Sequence, residues 1–234
     1  NFALFAKWVA EVRDDLVPLC EGLSKLVIVD ISLSRDQDNP QLIFESLNST
    51  GRELSQADLI RNFVLMGLEP DLQARLYTDY WRPMELAFGQ DAYATQFDAF
   101  MRHYLTVRTG EIPNVREVYE AFKDFARSEA AGGTEALVAD IARFSGYYCA
   151  MALGKDTPPA LAPVFQDIRE LKVDVAFPFL LELYADYKDG VISEADLVTA
   201  ARLVESYVFR RAICTIPTNS LNKTFATFAK ALRK

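Results

Sequence analysis

The chain has 234 residues, is 50% hydrophobic and 25% charged, and carries a formal net charge of −8. That length and apolar content can bury the core of one large or two small domains, which excludes a disordered chain. It has no run of about 18 apolar residues, and residues 1–8 show neither a basic leader nor a small-residue cleavage site, so a soluble, cytoplasmic protein with no membrane contact is expected.

Residues 2–19 place Phe2, Phe5, Val9, Val12 and Leu16 at helical intervals, with Gly22 near the expected end. Residues 26–33 are β-branched and then alternate, the one strand pattern in the sequence. A lone strand makes no sheet, so its partners must come from a weak hairpin, another subunit or a part of the protein outside this chain. Asp38, Asn39 and Pro40 then open a helix whose apolar face is Leu42, Ile43, Phe44 and Leu47, ending near Asn48. Asn48, Ser49, Thr50 and Gly51 can turn the backbone and point N–H groups outward. Ser55 and Asp58 match a capping box for the next helix, which directs Leu59, Ile60, Phe63, Val64 and Met66 toward a core. Residues 43–62 therefore read as helix, polar turn, helix. Arg52, Asp58, Arg61 and Asn62 supply charge and hydrogen bonds beside the turn, as an anion site requires.

Beyond Glu69 the pattern is helical throughout, over 71–88, 93–108, 115–130, 134–153, 159–172, 176–187, 193–211 and 219–232, with short Gly, Pro and Asn breaks. Phe97, Phe100 and Tyr104, and likewise Tyr119, Phe122 and Phe125, recur at helical spacing and are expected in the core. No fixed-period repeat is present.

Cys20, Cys149 and Cys214 are widely separated and all three are expected to be structural; the only histidine, His103, reads as a partly packed helix residue. Zinc and disulfide scaffolds are poor readings of this set. The stretch around Gly190 superficially resembles a calcium loop, but its early ligand positions fall on Ala185 and Tyr187. A helix ended by Gly190 and a new one capped by Ser193 with Asp196 explains it better. Phosphate-binding loops, dinucleotide fingerprints, nucleophile elbows and paired-histidine zinc motifs are absent from the sequence.

Charge is uneven. From Arg202 to Lys234 seven basic residues face one acidic, a balance of +6 that leaves −14 for residues 1–201. Any DNA-backbone contact is expected at this end, through Arg210, Arg211 and Lys223, and the alternative is that these hold the last helices against acidic neighbours.

Phe44-Glu45-Ser46-Leu47-Asn48-Ser49-Thr50-Gly51, Leu54-Ser55 and Asp58-Leu59-Ile60-Arg61-Asn62 resemble the helix-turn-helix of GmrSD-type restriction endonucleases. The segments 80–85, 97–106, 118–123 and 205–214 look like the helical region that follows in those proteins. The resemblance implies a ParB/sulfiredoxin-like domain with an Asp-Gly-Gln-Gln-Arg motif that hydrolyses a nucleoside triphosphate, and an HNH-type domain that cuts DNA, often modified DNA. Neither motif occurs in this chain. The chain starts at Asn rather than Met and is expected to be an excised middle portion. Residues 1–68 would be the end of the nucleotide domain and residues 69–234 a helical domain leading to the nuclease. The fold expected is mainly α, a multi-helix bundle-like domain with one N-terminal strand left over from a truncated α/β domain.

Under this resemblance the parent protein is a nucleotide-dependent endonuclease of phage defence that needs a divalent metal, and the piece itself binds no cofactor and is inactive alone. Asn48, Ser49 and Gly51 would shape the turn beside the nucleotide, Arg52 or Arg61 would meet phosphate, and Asp58 and Asn62 would orient them. The alternative is purely structural: Asp58 caps its helix, Arg61 pairs with it at i,i+3, and Asn48 and Gly51 serve backbone geometry. Partners would be DNA, through the parent protein, and the two flanking domains, with a homo-oligomer left open. A rival reading is a non-catalytic all-α protein-interaction module.

Overall fold

A computed structural model describes residues 2–11, 15–28, 30, 43–44, 46, 54–128, 131–172, 174–217 and 220–232. The chain divides into two compact units, Asn1–Asn39 and Pro40–Lys234.

In the first unit, α1 (Phe2–Glu11) and α2 (Val17–Ser24) bury none of their residues. Phe5 and Trp8 meet edge-on at 5.6 Å, one turn apart on α1. Asp15 Oδ1 accepts a hydrogen bond from the Val17 N–H at 3.2 Å, and Pro18 follows in the first turn of α2, where a missing N–H costs nothing. Among the described residues there is no strand. Leu26, Val27, Ile28 and Asp30 of the expected strand are exposed and form no strand, the Leu26 N–H donating to the Leu23 carbonyl at 3.1 Å, while Val29, Ile31, Ser32 and Leu33 lie outside the described residues. β-branched residues favour a strand only where neighbouring strands accept its hydrogen bonds, and none is described here.

Among its described residues the second unit has helices and no strand, and its core explains why. Helix α3 (Gln56–Leu65) buries Ala57, Leu59, Ile60, Val64 and Leu65, a stripe at 3- and 4-residue spacing that packs on α6 and α7. Phe44, helical in the described pair 43–44, also packs on this core. Residues 70–88 run on as α4 (Pro70–Leu76), one π-turn (Tyr77–Trp81) and α5 (Arg82–Phe88). Within the π-turn the Arg82 N–H bonds to the Tyr77 carbonyl five residues back. Pro83 lies just beyond; it has no N–H for an α-helical bond and its ring crowds the carbonyl four residues earlier, so the widened turn relieves that conflict. Gly89 ends α5 at φ +72°, and Lys155 Nζ donates to the carbonyls of Ala87 and Phe88 at 2.8 and 2.7 Å, capping the helix end from a distant part of the chain.

Helix α6 (Gln90–Thr109) is the centre of the unit, with α3, α5, α7 (Val118–Ala126), α8 (Thr134–Tyr148), α10 (Phe177–Lys188) and α12 (Leu221–Leu232) packed around it. A helix covered on several sides has apolar residues on several faces, and Phe97, Phe100, Met101, Tyr104 and Leu105 are all fully buried. Phe88, Phe97, Phe100 and Tyr148 meet at ring separations of 5.3–5.9 Å. Trp81 is buried beside them, its indole N–H donating to the Tyr93 hydroxyl at 3.1 Å. Tyr119, Phe122 and Phe125 also line the core, as their spacing predicts.

A second π-turn (Cys149–Leu153) ends α8 at the left-handed Gly154. Helix α9 (Ala162–Glu170), a 3-10 turn (Asp174–Ala176), α10 and α11 (Glu194–Ile213) follow. Gly190, at φ +74°, and a reciprocal capping box between Ser193 and Asp196 separate α10 from α11 as expected. That box holds the Asp196 carboxyl below its usual range, through the hydroxyl and the N–H of Ser193.

Candidate functional site

The described half of the polar motif is α3 and its cap. Ser55, extended at φ −63°, ψ 156°, accepts from the Asp58 N–H at 3.1 Å while its hydroxyl donates to Asp58 Oδ2 at 2.8 Å. The next two donors of the helix start face a carboxylate from α6: Asp98 accepts from Gln56 N–H at 3.3 Å and Ala57 N–H at 2.8 Å. The anion at this helix N-terminus is thus an internal side chain. Gln56 Oε1 in turn accepts from the Tyr119 N–H at 2.8 Å, tying α3 to the start of α7.

Arg61 completes the connection. Its Nη2 is 3.2 Å from Asp58 Oδ1 on its own helix, and its Nη1 is 3.2 Å from Glu85 Oε1 on α5. The other Glu85 oxygen accepts from the Tyr77 hydroxyl at 3.4 Å. Asn62 is half-buried, and its carbonyl accepts the N–H of Met66 where α3 stops. Of the motif residues, Asp58 and Arg61 are brought together, and Glu85 and Asp98 join them. Asn48, Ser49, Thr50, Gly51 and Arg52 lie outside the described residues.

A second polar cluster lies between α6 and α8. Asp140 accepts from the Tyr104 hydroxyl at 2.7 Å, from Arg108 Nε at 2.7 Å and from Arg108 Nη2, and Arg143 bridges it to Asp189. The Arg108 guanidinium also lies over the Phe144 ring, 4.3 Å from its centre. Tyr104, Arg108, Asp140 and Arg143 line a cleft of about 420 Å³, with Asp189 outside its lining. Two cations face two carboxylates in the cluster, so it neutralises itself. Burial raises the Tyr104 hydroxyl pKa strongly, which keeps it a neutral donor to Asp140.

His103 is buried, stacked on Tyr148 and edge-on to Phe177 at 5.6 Å, and burial lowers its pKa to about 3. It is more deeply packed than its sequence context implies. Cys149 is buried with its thiol pushed up to about 11, again by burial, but Cys20 and Cys214 are exposed, which corrects the expectation that all three cysteines are structural. Among the described residues no group of three or more His, Cys, Asp or Glu side chains converges as a metal would need, and no helix is long and apolar enough to cross a membrane.

At the C-terminal end, Arg210 and Lys223 are exposed, while Arg211 donates to the Tyr207 hydroxyl at 3.2 Å and to the Pro217 carbonyl. No family model, curated protein or solved structure matches the chain.

Proposed function

We propose that this chain is the helical coupling region of a nucleotide-dependent DNA endonuclease resembling the GmrSD type, joining a nucleotide-hydrolysing domain to a DNA-cleaving one. The observation that carries the reading is the set of bonds from α3 into the helical body: Asp98 on two of its first amides, Gln56 on α7, and Arg61 on Glu85 of α5. A helix held at both ends moves with the helices it is bonded to, so a displacement at the polar turn is passed to α5, α6 and α7 as a rigid-body shift.

In this reading Asn48, Ser49 and Gly51 shape the segment beside the nucleotide and, with Arg61 engaged by Asp58 and Glu85, phosphate contact falls to Arg52. Asp58 and Arg61 are positioning residues, engaged with each other and with Glu85, and Asn62 sits at the end of the same helix. A nucleoside triphosphate and its divalent metal would supply the hydrolytic chemistry of the nucleotide domain, in which the chain's own part would be to orient the segment around Asn48. Arg210, Arg211 and Lys223 are the cations available to a DNA backbone.

The reading frame that encodes the chain tests this. An upstream Asp-Gly-Gln-Gln-Arg segment and a downstream histidine-containing nuclease motif are the expected result. A frame with neither would overturn the endonuclease reading in favour of an all-α interaction module. Turnover of nucleotide or DNA by this chain alone would overturn both.

A further inference from the structure

We infer that a groove between α11 and α12 is the docking site for an acidic amphipathic helix of a partner protein. Both helices pack on α10, and Phe179 of α10 lies between them. Ala200, Leu203, Val204 and Tyr207 form one wall and Phe225 and Phe228 the other, with Phe179 stacked on Phe225 at 6.2 Å and edge-on to Phe228 at 5.7 Å. The groove encloses about 220 Å³, and the Tyr207 hydroxyl is the only side-chain polar group among these lining residues. Leu203 is 67% exposed, Phe228 47% and Tyr207 43%, so large apolar side chains face water along its length. A concave apolar strip between two helices matches the way an amphipathic helix inserts anchors at i, i+3, i+4 and i+7.

Charge selects the partner. From Ser206 to Leu232 the sequence has no Asp or Glu but carries Arg210, Arg211, Lys223 and Lys230. Arg210 and Arg211 lie one helical turn beyond Tyr207, at the end of that wall, and Lys223 stands in the first turn of α12. Elsewhere Arg61, Arg75, Arg108, Arg143 and Arg202 each pair with a carboxylate, while Arg82, Arg102, Arg116, Arg127 and Arg169 do not among the described residues, so what sets the tail cations apart is their place beside the groove. Arg210, Arg211 and Lys223 make no ion pair with a carboxylate among the described residues, Arg211 bonding only to a hydroxyl and a carbonyl. Unpaired cations beside an apolar groove complement a helix with Glu or Asp flanking its apolar stripe. A nucleic-acid backbone would use the cations but leave the aromatic walls unfilled, and a lipid surface would need a protruding apolar face where this one is recessed. The inference is independent of the nucleotide reading, but it gives Arg210, Arg211 and Lys223 to a protein partner in place of a DNA backbone.

The test is fluorescence anisotropy of the whole chain with a labelled peptide of about 18 residues, five helical turns, carrying Leu and Phe on one face and Glu on the rest. Saturable binding is expected. It should weaken at least about tenfold in Leu203→Asp and in the Arg210→Glu, Arg211→Glu double variant, and at least about tenfold when Lys replaces Glu in the peptide. Leu203 is exposed, so Leu203→Asp should melt as the parent does, and Phe228→Ser repeats the test if it does not fold; Arg211 also bonds Tyr207 and the Pro217 carbonyl, so Arg210→Glu with Lys223→Glu, at two exposed cations, repeats the charge test if the first double variant does not fold. No binding, equal binding of the Lys peptide, or capture of a DNA duplex or phosphatidylglycerol vesicles with the same dependence on Leu203 would overturn the inference.

Discussion

Arg61 reaches out of α3 to Glu85 on α5, with Nη1 3.2 Å from Oε1, while its other amino group stays on Asp58 within the same helix. The Glu85 bond therefore links two elements, and the Asp58 bond only stiffens one. Both ends are about a quarter to a third exposed, at 33% for Arg61 and 24% for Glu85, so solvent screens the pair. A double-mutant cycle of Arg61→Ala and Glu85→Ala, read by urea unfolding, should return a coupling of about 0.5–1 kcal/mol. A coupling indistinguishable from zero would contradict the link.

The start of α3 depends on Asp98 more than on its own cap. Asp98→Ala removes the acceptor of two backbone N–H groups, and should lower unfolding stability by about 1–2 kcal/mol. Asp98→Asn keeps one acceptor oxygen and should cost less. Amide exchange at Gln56 and Ala57 should accelerate in the alanine variant.

His103 gives the chain an acid-sensitive core. Its folded pKa of about 3 lies below the ordinary 6.5, so between those values the unfolded chain binds a proton that the folded chain does not. Stability is unaffected by this group above about pH 6.5 and falls as the pH drops toward 3. From pH 7 to pH 5 the loss should be about 2 kcal/mol, on the basis of 1.36 kcal/mol per unit. His103→Leu should flatten that slope, whatever it costs in absolute stability, as melting curves across the range would show.

Thiol labelling separates the cysteines. Cys20 and Cys214 are exposed and should react with iodoacetamide in the native state, whereas the buried, protonated Cys149 should react only after unfolding. Intact mass should report two adducts without denaturant and three with it.

Much of the helical layout was legible because its signals are local. The Ser193–Asp196 capping box, the stop at Gly190 and the i,i+3 partnership of Asp58 with Arg61 all lie within one turn of sequence. Their partners at long range were not legible. Glu85 is 24 residues from Arg61, and Asp98 is 41 from Ala57, and nothing in the spacing of either carboxylate marks it as the one that closes the contact. The two π-turns were invisible for another reason, since one extra residue per turn leaves the apolar pattern of 71–88 and 134–153 helical. Pro83 was the available clue to the first. At 26–28 and 30, the described part of the β-branched run, the opposite error shows, a local preference read without the neighbours that would realise it.

The central claim is that α3 passes a nucleotide-dependent displacement into the helical body through Arg61 and Glu85. Nucleotide hydrolysis and DNA cleavage measured side by side in the parent protein that the proposal implies, with and without Glu85→Ala, test it most directly. Hydrolysis should be unchanged while cleavage per nucleotide hydrolysed falls about two- to fivefold, which is the loss of a coupling of about 0.5–1 kcal/mol. Cleavage that keeps its ratio to hydrolysis, whether both persist or both fall together, would contradict the account.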